Sequence, residues 1–303
     1  MTGKTMANGI GILITERIAV ANVVENAISG PVCSDPEDSA VTDTLYGVPA
    51  ETIVQRIVSL VRQLGRTDPP PYLGLGMPGI VRTGVVEDSP NLVQFKGISM
   101  QSLVSEALAP IFGQVPVSIF NDADVMAAGI AATRGHLDRL IRVWTLGTGI
   151  GYGRYPFQEG VWEAGHSIVT LDPKEHFCGC GGRGHLEGIM GHRAMRLRFM
   201  DLEPDEVFQQ AQAGETRCVD FVKLWHRALA AATATSVHLD GPGKFFITGP
   251  NARFLNLTLL NEYIHEMVKL SPLQSYSVEV VPGGETVALI GAAVNAAQAV
   301  ERS

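Results

Sequence analysis

Two thiols and two imidazoles lie within twenty residues of one another in this chain. Cys178-Gly-Cys180 is followed by His185, with His166 upstream. They fall in the stretch 163–187, which holds two of the four cysteines and three of the eight histidines. Two sulfurs and two ring nitrogens make a tetrahedral set suited to Zn2+. Four protein ligands leave no open position for water, so such a metal is structural. Gly179, Gly181, Gly182 and Gly184 let a short loop curl around an ion without steric cost. The spacing is not that of a C-x2-C finger, and His176 competes with His166 for a place in the set. The plain alternative is a glycine-rich surface turn with two incidental thiols; histidines on both flanks favour the metal. Glu163 and Glu187 bracket the ligands, at the edge of the site rather than in it. The loop has little apolar material, so the metal is expected to hold Glu187 in place.

Three further points of chemistry sit at the ends of expected strands. Asn121-Asp122 follows S-I-F and opens a helix. A carboxylate there can accept a proton from a hydroxyl that the neighbouring amide orients. Helix capping explains the same residue types equally well, with Asp124 a third candidate for the cap. In L-G-T-G-I-G, the backbone N–H groups of Gly147, Thr148 and Gly149 can approach phosphate oxygens, with the Thr148 hydroxyl as a further donor. The spacing matches neither a Walker loop nor G-x-G-x-x-G. Finally F-F-I-T-G-P-N places Gly249 at a strand-to-helix turn that could border an adenine pocket.

The elements that must position these groups alternate along the chain. Residues 9–14 and 18–24 read as a β-hairpin, and 30–47 as polar and turn-rich. Helices are predicted at 49–64, 99–112, 123–134, 187–199, 204–213, 216–239, 254–270 and 286–301, and strands at 72–75, 115–120, 142–146, 244–248 and 277–281. Such alternation implies an α/β fold with ligands at the carboxyl ends of strands. At 303 residues, 46% hydrophobic and 18% charged, the chain is long and apolar enough for two cored domains. A net charge of −8 argues against nucleic acid as a partner. No apolar stretch reads as a membrane span or a signal peptide. Four cysteines, two of them in one C-x-C, fit a reducing cytoplasm.

Taken together, ordered motifs along the chain resemble the ROK family (repressors, open reading frames and sugar kinases) of the actin-like ATPase superfamily. L-G-L-G-M-P-G through S-P-N-L is similar to the family's segment around M-P-G; N-D-A-D resembles N-D-A-N; L-G-T-G-I-G resembles its second phosphate loop. E-A-G-H resembles E-x-G-H, and C-G-C-G-G-R-G-H-L-E resembles C-x-C-G-x-x-G-C-L-E; L-I-G-A-A near the end is similar to the family's last helix. The resemblance implies a two-domain actin-like ATPase (ribonuclease H-like) fold with a cleft between domains. The small domain would hold residues 1–120 plus the helix at 288–303, and the large one 121–287. It implies Asp122 as the catalytic base and Asn91, Asn121, Glu163, His166 and Glu187 as sugar contacts. Thr15, Gly147, Thr148, Gly149 and Gly249 would serve the nucleotide, and His166, Cys178, Cys180 and His185 the zinc. It also implies ATP with Mg2+, a hexose substrate, and a homo-oligomer, dimer or tetramer.

The chain departs from the pattern twice. His185 stands where the family has a third cysteine, an ordinary exchange of zinc ligands. The family's opening D-I-G-G-T, whose Asp helps organise magnesium and whose glycines form a first phosphate loop, is here G-I-L-I-T at 11–15. Gly11 replaces the carboxylate, Leu13 and Ile14 replace the glycines, and only Thr15 is kept. Family repressors share that loss but carry an N-terminal DNA-binding region, for which there is no room before residue 9. Three activities are therefore open: an ATP-dependent hexose kinase, a sugar-binding sensor, or another sugar-converting enzyme using Asp122.

Overall fold

A computed structural model describes residues 6–38, 40–41, 45–160, 163–269 and 275–302. The chain forms two compact units. The first comprises residues 1–141, 153–161 and 283–303, and the second 142–152 and 162–282. The boundary expected at 120 is thus displaced to 141.

The first unit opens on the hairpin β1 (Gly9–Ile14) and β2 (Ile18–Val24), followed by β3 (Ala27–Asp35), α1 (Ala50–Gln63) and β4 (Leu73–Met77). The small antiparallel pair β5 (Ile80–Arg82) and β6 (Val85–Asp88) precedes α2 (Met100–Phe112), β7 (Val117–Asn121) and α3 (Asp122–Thr133). Five strands lie in the order β3-β2-β1-β4-β7, with β1, β4 and β7 parallel. Alternating Ile10, Ile12 and Ile14 of β1 join Leu73 and Leu75 of β4 in one buried core with Ile53 and Ile57 of α1. Residues 30–35 belong to the stretch 30–47 that reads as turn-rich. The segment is instead an edge strand, where a proline and unpaired backbone are tolerated.

The chain continues through β8 (Ile141–Leu146) and β9 (Ile150–Tyr155), whose last three residues belong to the first unit. The glycines of I-G-Y-G-R-Y hid this strand from the sequence reading. In the second unit follow α4 (Leu186–Met190), α5 (His192–Arg198), α6 (Pro204–Gln212), α7 (Thr216–Asp240), β10 (Lys244–Thr248), α8 (Leu257–Met267) and β11 (Ser277–Val280). The helix expected at 187–199 is broken at Gly191, which is extended. The helix expected to reach residue 270 ends at Met267, residue 270 lying outside the described residues. The sheet order is β11-β10-β8-β9, over a core that includes Trp144, Trp225, Phe245 and Ile247.

The last helix, α9 (Glu285–Arg302), returns to the first unit and packs on α3, β1 and β4. The approach is close: a Cβ on Gly291 would lie 1.7 Å from the Val125 carbonyl oxygen of α3. Only glycine permits two helix backbones so near. Among the described residues no helix is long and apolar enough to cross a membrane.

Candidate functional site

In the second unit, backbone pairing draws the metal-type ligands together. Val169 N donates to Gly184 O and Leu186 N to Ser167 O, at 2.8 and 3.0 Å. These bonds lay the segment after His166 against His185, and Gly184 turns the loop at φ +69°. One ligand atom from each of His166, Cys178, Cys180 and His185 lies within 4.8 Å of every other. Cys178 Sγ and Cys180 Sγ are 3.3 Å apart, and Cys180 Sγ is 3.3 Å from His185 Nδ1. His176 lies outside the group, its Nδ1 on the Lys174 carbonyl at 2.7 Å.

The donor set fits a soft or borderline divalent cation. Burial first, then the neighbouring Cys180 and Glu187, push the Cys178 thiol up to about 12. Without a cation the Cys178 thiol stays protonated; a bound Zn2+ would deprotonate it and compensate the repulsion. The loop is also anchored from outside. The Arg198 guanidinium of α5 pairs with the buried Glu175 carboxylate and lies over the Phe177 ring at 4.5 Å. Sequence reasoning missed this anchor, which needs residues of two separate segments.

Glu187 ties the metal loop to the glycine bend. Its Oε2 accepts the Ile150 N–H at 3.0 Å, where the bend enters β9. Its Oε1 lies 3.8 Å from Cys178 Sγ and 3.7 Å from His166 Nε2. Glu163 reaches the other face of the same imidazole, 3.6 Å from Nδ1. Two carboxylates and one imidazole thus form a polar cluster able to bind several hydroxyls. The metal is not alone in holding Glu187, as the sequence suggested: α4 carries it, bedded by the fully buried Leu186, Ile189 and Met190.

The bend Gly147–Gly149 and the turn after β10 form one structure. Asn251, buried, donates from Nδ2 to Gly147 O at 2.9 Å. Gly249 has φ +98° and sits against Leu146, where a Cβ would lie 2.5 Å from the carbonyl oxygen. Asn251 was quoted in T-G-P-N but given no role by the sequence. A polar residue directly after Gly-Pro was the available signal.

In the first unit, Asn121 caps α3: its Oδ1 accepts the Ala123 N–H at 2.8 Å and its Nδ2 donates to Gly79 O at 2.9 Å. Asp122, half-buried at the first helical position, has Oδ1 2.9 Å from the same N–H. Asp124 does no capping; it is buried and accepts the Arg154 N–H at 3.0 Å. Asn91 is exposed in the turn after β6.

The β1–β2 hairpin is filled. Leu13 and Ile14 are buried. A Cβ on Gly11 would lie 2.0 Å from the Leu289 carbonyl oxygen of α9, so the place of the family's carboxylate is taken by helix backbone. Thr15 N donates to Arg17 O at 3.0 Å across the turn. The Arg17 fork grips Glu285, the first residue of α9, at 2.7 and 2.9 Å, and reaches the Glu37 carbonyl at 2.9 Å. The hairpin therefore offers no carboxylate at the place of Gly11.

Comparison with known proteins gives a consistent picture. The model of the ROK family matches residues 38–299. A glucokinase of Thermotoga maritima is 27% identical, over 83% of this chain and 87% of that protein. A glucokinase of Pyrobaculum calidifontis is 28% identical, over 70% and 73%. Among solved structures, a ROK hexokinase from Thermus thermophilus superposes with a TM-score of 0.75 at 23% identity, covering 98% of this chain and 100% of that one. A ROK family glucokinase from Streptomyces griseus, in complex with glucose and AMPPNP, gives 0.68 at 22% identity, covering 96% and 99%. These structures share the α/β, actin-like ATPase fold.

Proposed function

The chain belongs to the ROK family, and from that premise we propose that it is an ATP-dependent hexose kinase of glucokinase type, with Asp122 as general base. The observation that carries the reading is Glu187. One of its oxygens fixes the exit of the glycine bend and the other borders His166 and the thiol pair. A sugar-type polar cluster and a phosphate-type bend are thereby held by a single carboxylate. The named relatives are glucokinases, which supports the same substrate class.

In this reading Asp122 accepts the proton of a sugar hydroxyl as that oxygen bonds the γ-phosphorus of ATP. The bond from phosphorus to the β-bridging oxygen breaks, and ADP leaves with that electron pair. Asn121, held by Gly79 and Ala123, orients the hydroxyl, and Asn91 is a further sugar contact. Glu163, His166 and Glu187 bind other sugar hydroxyls. Gly147, Thr148 and Gly149 receive the phosphates, Gly249 lies by the adenosine, and Thr15 is what remains of the first phosphate loop. His166, Cys178, Cys180 and His185 hold one structural Zn2+, which when bound fixes the loop and the tautomer of His166. No step is assigned to Mg2+, because the hairpin lacks the residue to organise it. The reading carries with it a cytoplasmic location and homo-oligomeric assembly.

The filled hairpin favours a second reading, a sugar sensor without turnover. A coupled ADP-release assay over a panel of hexoses separates the two. Slow but measurable turnover is expected in the parent. Asp122→Asn should lower kcat by about 100- to 10,000-fold, with far less change in sugar affinity. A mere helix cap predicts nearly full turnover, since Asn caps as well as Asp. No ADP release with any hexose at saturating ATP and magnesium would replace the kinase by the sensor.

A further inference from the structure

Helix α7 carries a fully buried histidine that the proposed chemistry leaves unused. His226 lies in the middle of this helix, which packs on α8. Both ring nitrogens have backbone partners, and the partners fix the proton. Nδ1 lies 2.7 Å from the Val222 carbonyl, one turn back on α7, so Nδ1 carries the hydrogen and donates it. Nε2 accepts the Asn256 N–H at 2.9 Å. The ring is therefore neutral, and an aliphatic side chain could fill its space but not make the second bond. Asn256 is the N-cap of α8. Its N–H has no partner within its own helix, and a side chain from another helix supplies one.

The place of that bond gives it a consequence. Asn256 closes the turn that begins at Gly249. At the near end Gly249 is pressed on Leu146, where a Cβ would lie 2.5 Å from the carbonyl oxygen. Within the turn, Ala252 N donates to Gly249 O and Leu255 N to Ala252 O, each at 3.1 Å. The Phe254 ring stacks on Phe208 with centroids 4.2 Å apart, and Phe208 meets Trp225, the neighbour of His226, edge-on at 5.5 Å. Asn251 sits inside this turn with its Nδ2 on the Gly147 carbonyl. His226 thus pins the far end of the segment whose middle holds the glycine bend.

We infer that His226 is a positioning residue for the nucleotide: by accepting the Asn256 N–H it fixes the turn that carries Asn251, and through Asn251 it holds the Gly147 carbonyl and the bend that faces phosphate. The inference rests on the bend Gly147–Gly149 being the phosphate site, as in the proposed function. Backbone N–H groups bind phosphate well only when their directions are set before the ligand arrives. A turn released at one end lets Asn251 drift, and the bend then orders itself at the expense of ATP binding. The sugar contacts Glu163, His166 and Glu187 lie outside this turn and are not affected.

The test is ATP affinity by calorimetry, with ATP KM, sugar KM and thermal midpoints, for the parent and four variants. His226→Phe keeps a ring and loses the acceptor. It should weaken ATP roughly two- to fivefold, up to the effect of one hydrogen bond, and leave sugar KM unchanged. His226→Gln offers an oxygen near the place of Nε2 and should bind ATP as the parent does. Asn256→Pro deletes the N–H and leaves the ring in place, so it should weaken ATP as His226→Phe does. Asn251→Ala combined with His226→Phe should bind ATP no more weakly than Asn251→Ala alone, because the two act in series. A packing role alone predicts a lower thermal midpoint with parental ATP affinity in His226→Phe, and that result overturns the inference. Losses that add in the double variant, or a His226→Gln protein as weak as His226→Phe, overturn it too. If His226→Phe does not fold, parental ATP affinity in Asn256→Pro overturns it instead. A parent that binds ATP without hexose-dependent ADP release fails the kinase reading alone, and the calorimetry still decides the inference. A parent that binds no ATP sinks the nucleotide reading of the bend before any variant is made.

Discussion

Two turns that the family resemblance pairs as phosphate loops differ sharply here. The bend Gly147–Gly149 is tied at one end to Asn251 and at the other to Glu187, both polar side chains. The β1–β2 hairpin is packed with Leu13 and Ile14 and closed by the ion pair Arg17–Glu285. Each buried aliphatic side chain contributes roughly 1.5–3 kcal/mol where glycine contributes nothing. The hairpin has gained stability and lost the open backbone that a phosphate needs. The comparison teaches that support of phosphate by charge and positioning of the sugar by a base and a polar cluster are separable. On the proposed reading, this chain weakens the first and keeps the second.

The largest test of that division removes the metal from the intact side. Chelation, or Cys178→Ser, should take zinc from one per chain to none. Turnover should fall at least about 10- to 100-fold, the range seen when groups that orient a metal site are lost. Glu187, set in the core by α4, should stay in place while His166 loses its orientation. Full zinc content in the Cys178→Ser protein, by elemental analysis, would refute the ligand set.

Restoring the missing carboxylate probes the other side. Gly11→Asp should not raise turnover, because its Cβ would meet the Leu289 carbonyl at 2.0 Å. Overpacking of this kind destabilises by about 1–3 kcal/mol. A rise in magnesium-dependent turnover, without loss of thermal stability, would show that the hairpin is not sealed.

Asn251→Ala should raise the KM for ATP about fivefold, the effect of one hydrogen bond of about 1 kcal/mol, and leave sugar KM alone. Equal changes in both would mean that the bend serves the sugar as well. The smallest effect belongs to Arg17→Ala. Its partly buried ion pair is worth about 1 kcal/mol of stability at most, visible as a small drop in the unfolding midpoint. Unchanged ATP KM is expected; a large rise would make Arg17 a phosphate ligand and bring the hairpin back into the nucleotide site.

Much of this was legible in the sequence for local reasons. The hairpin 9–24, the strand 244–248 and the amphipathic helices follow from periodicity and from turn residues that act within a few positions. The four donors His166, Cys178, Cys180 and His185 were legible because a short glycine-rich loop must bring near neighbours together. The absent carboxylate at Gly11 could be read directly. What sequence could not decide were effects of contacts distant along the chain. That β3 and β9 are strands depends on the partners each finds in a sheet. That Asp124 is buried against Arg154, rather than capping its helix, depends on a strand arriving thirty residues later. That Gly11 has no room for a side chain depends on α9, from the far end of the chain. Residue types determined which chemistry was available. Tertiary packing decided which groups lost water, because burial and backbone approach are set by segments that share space and not sequence.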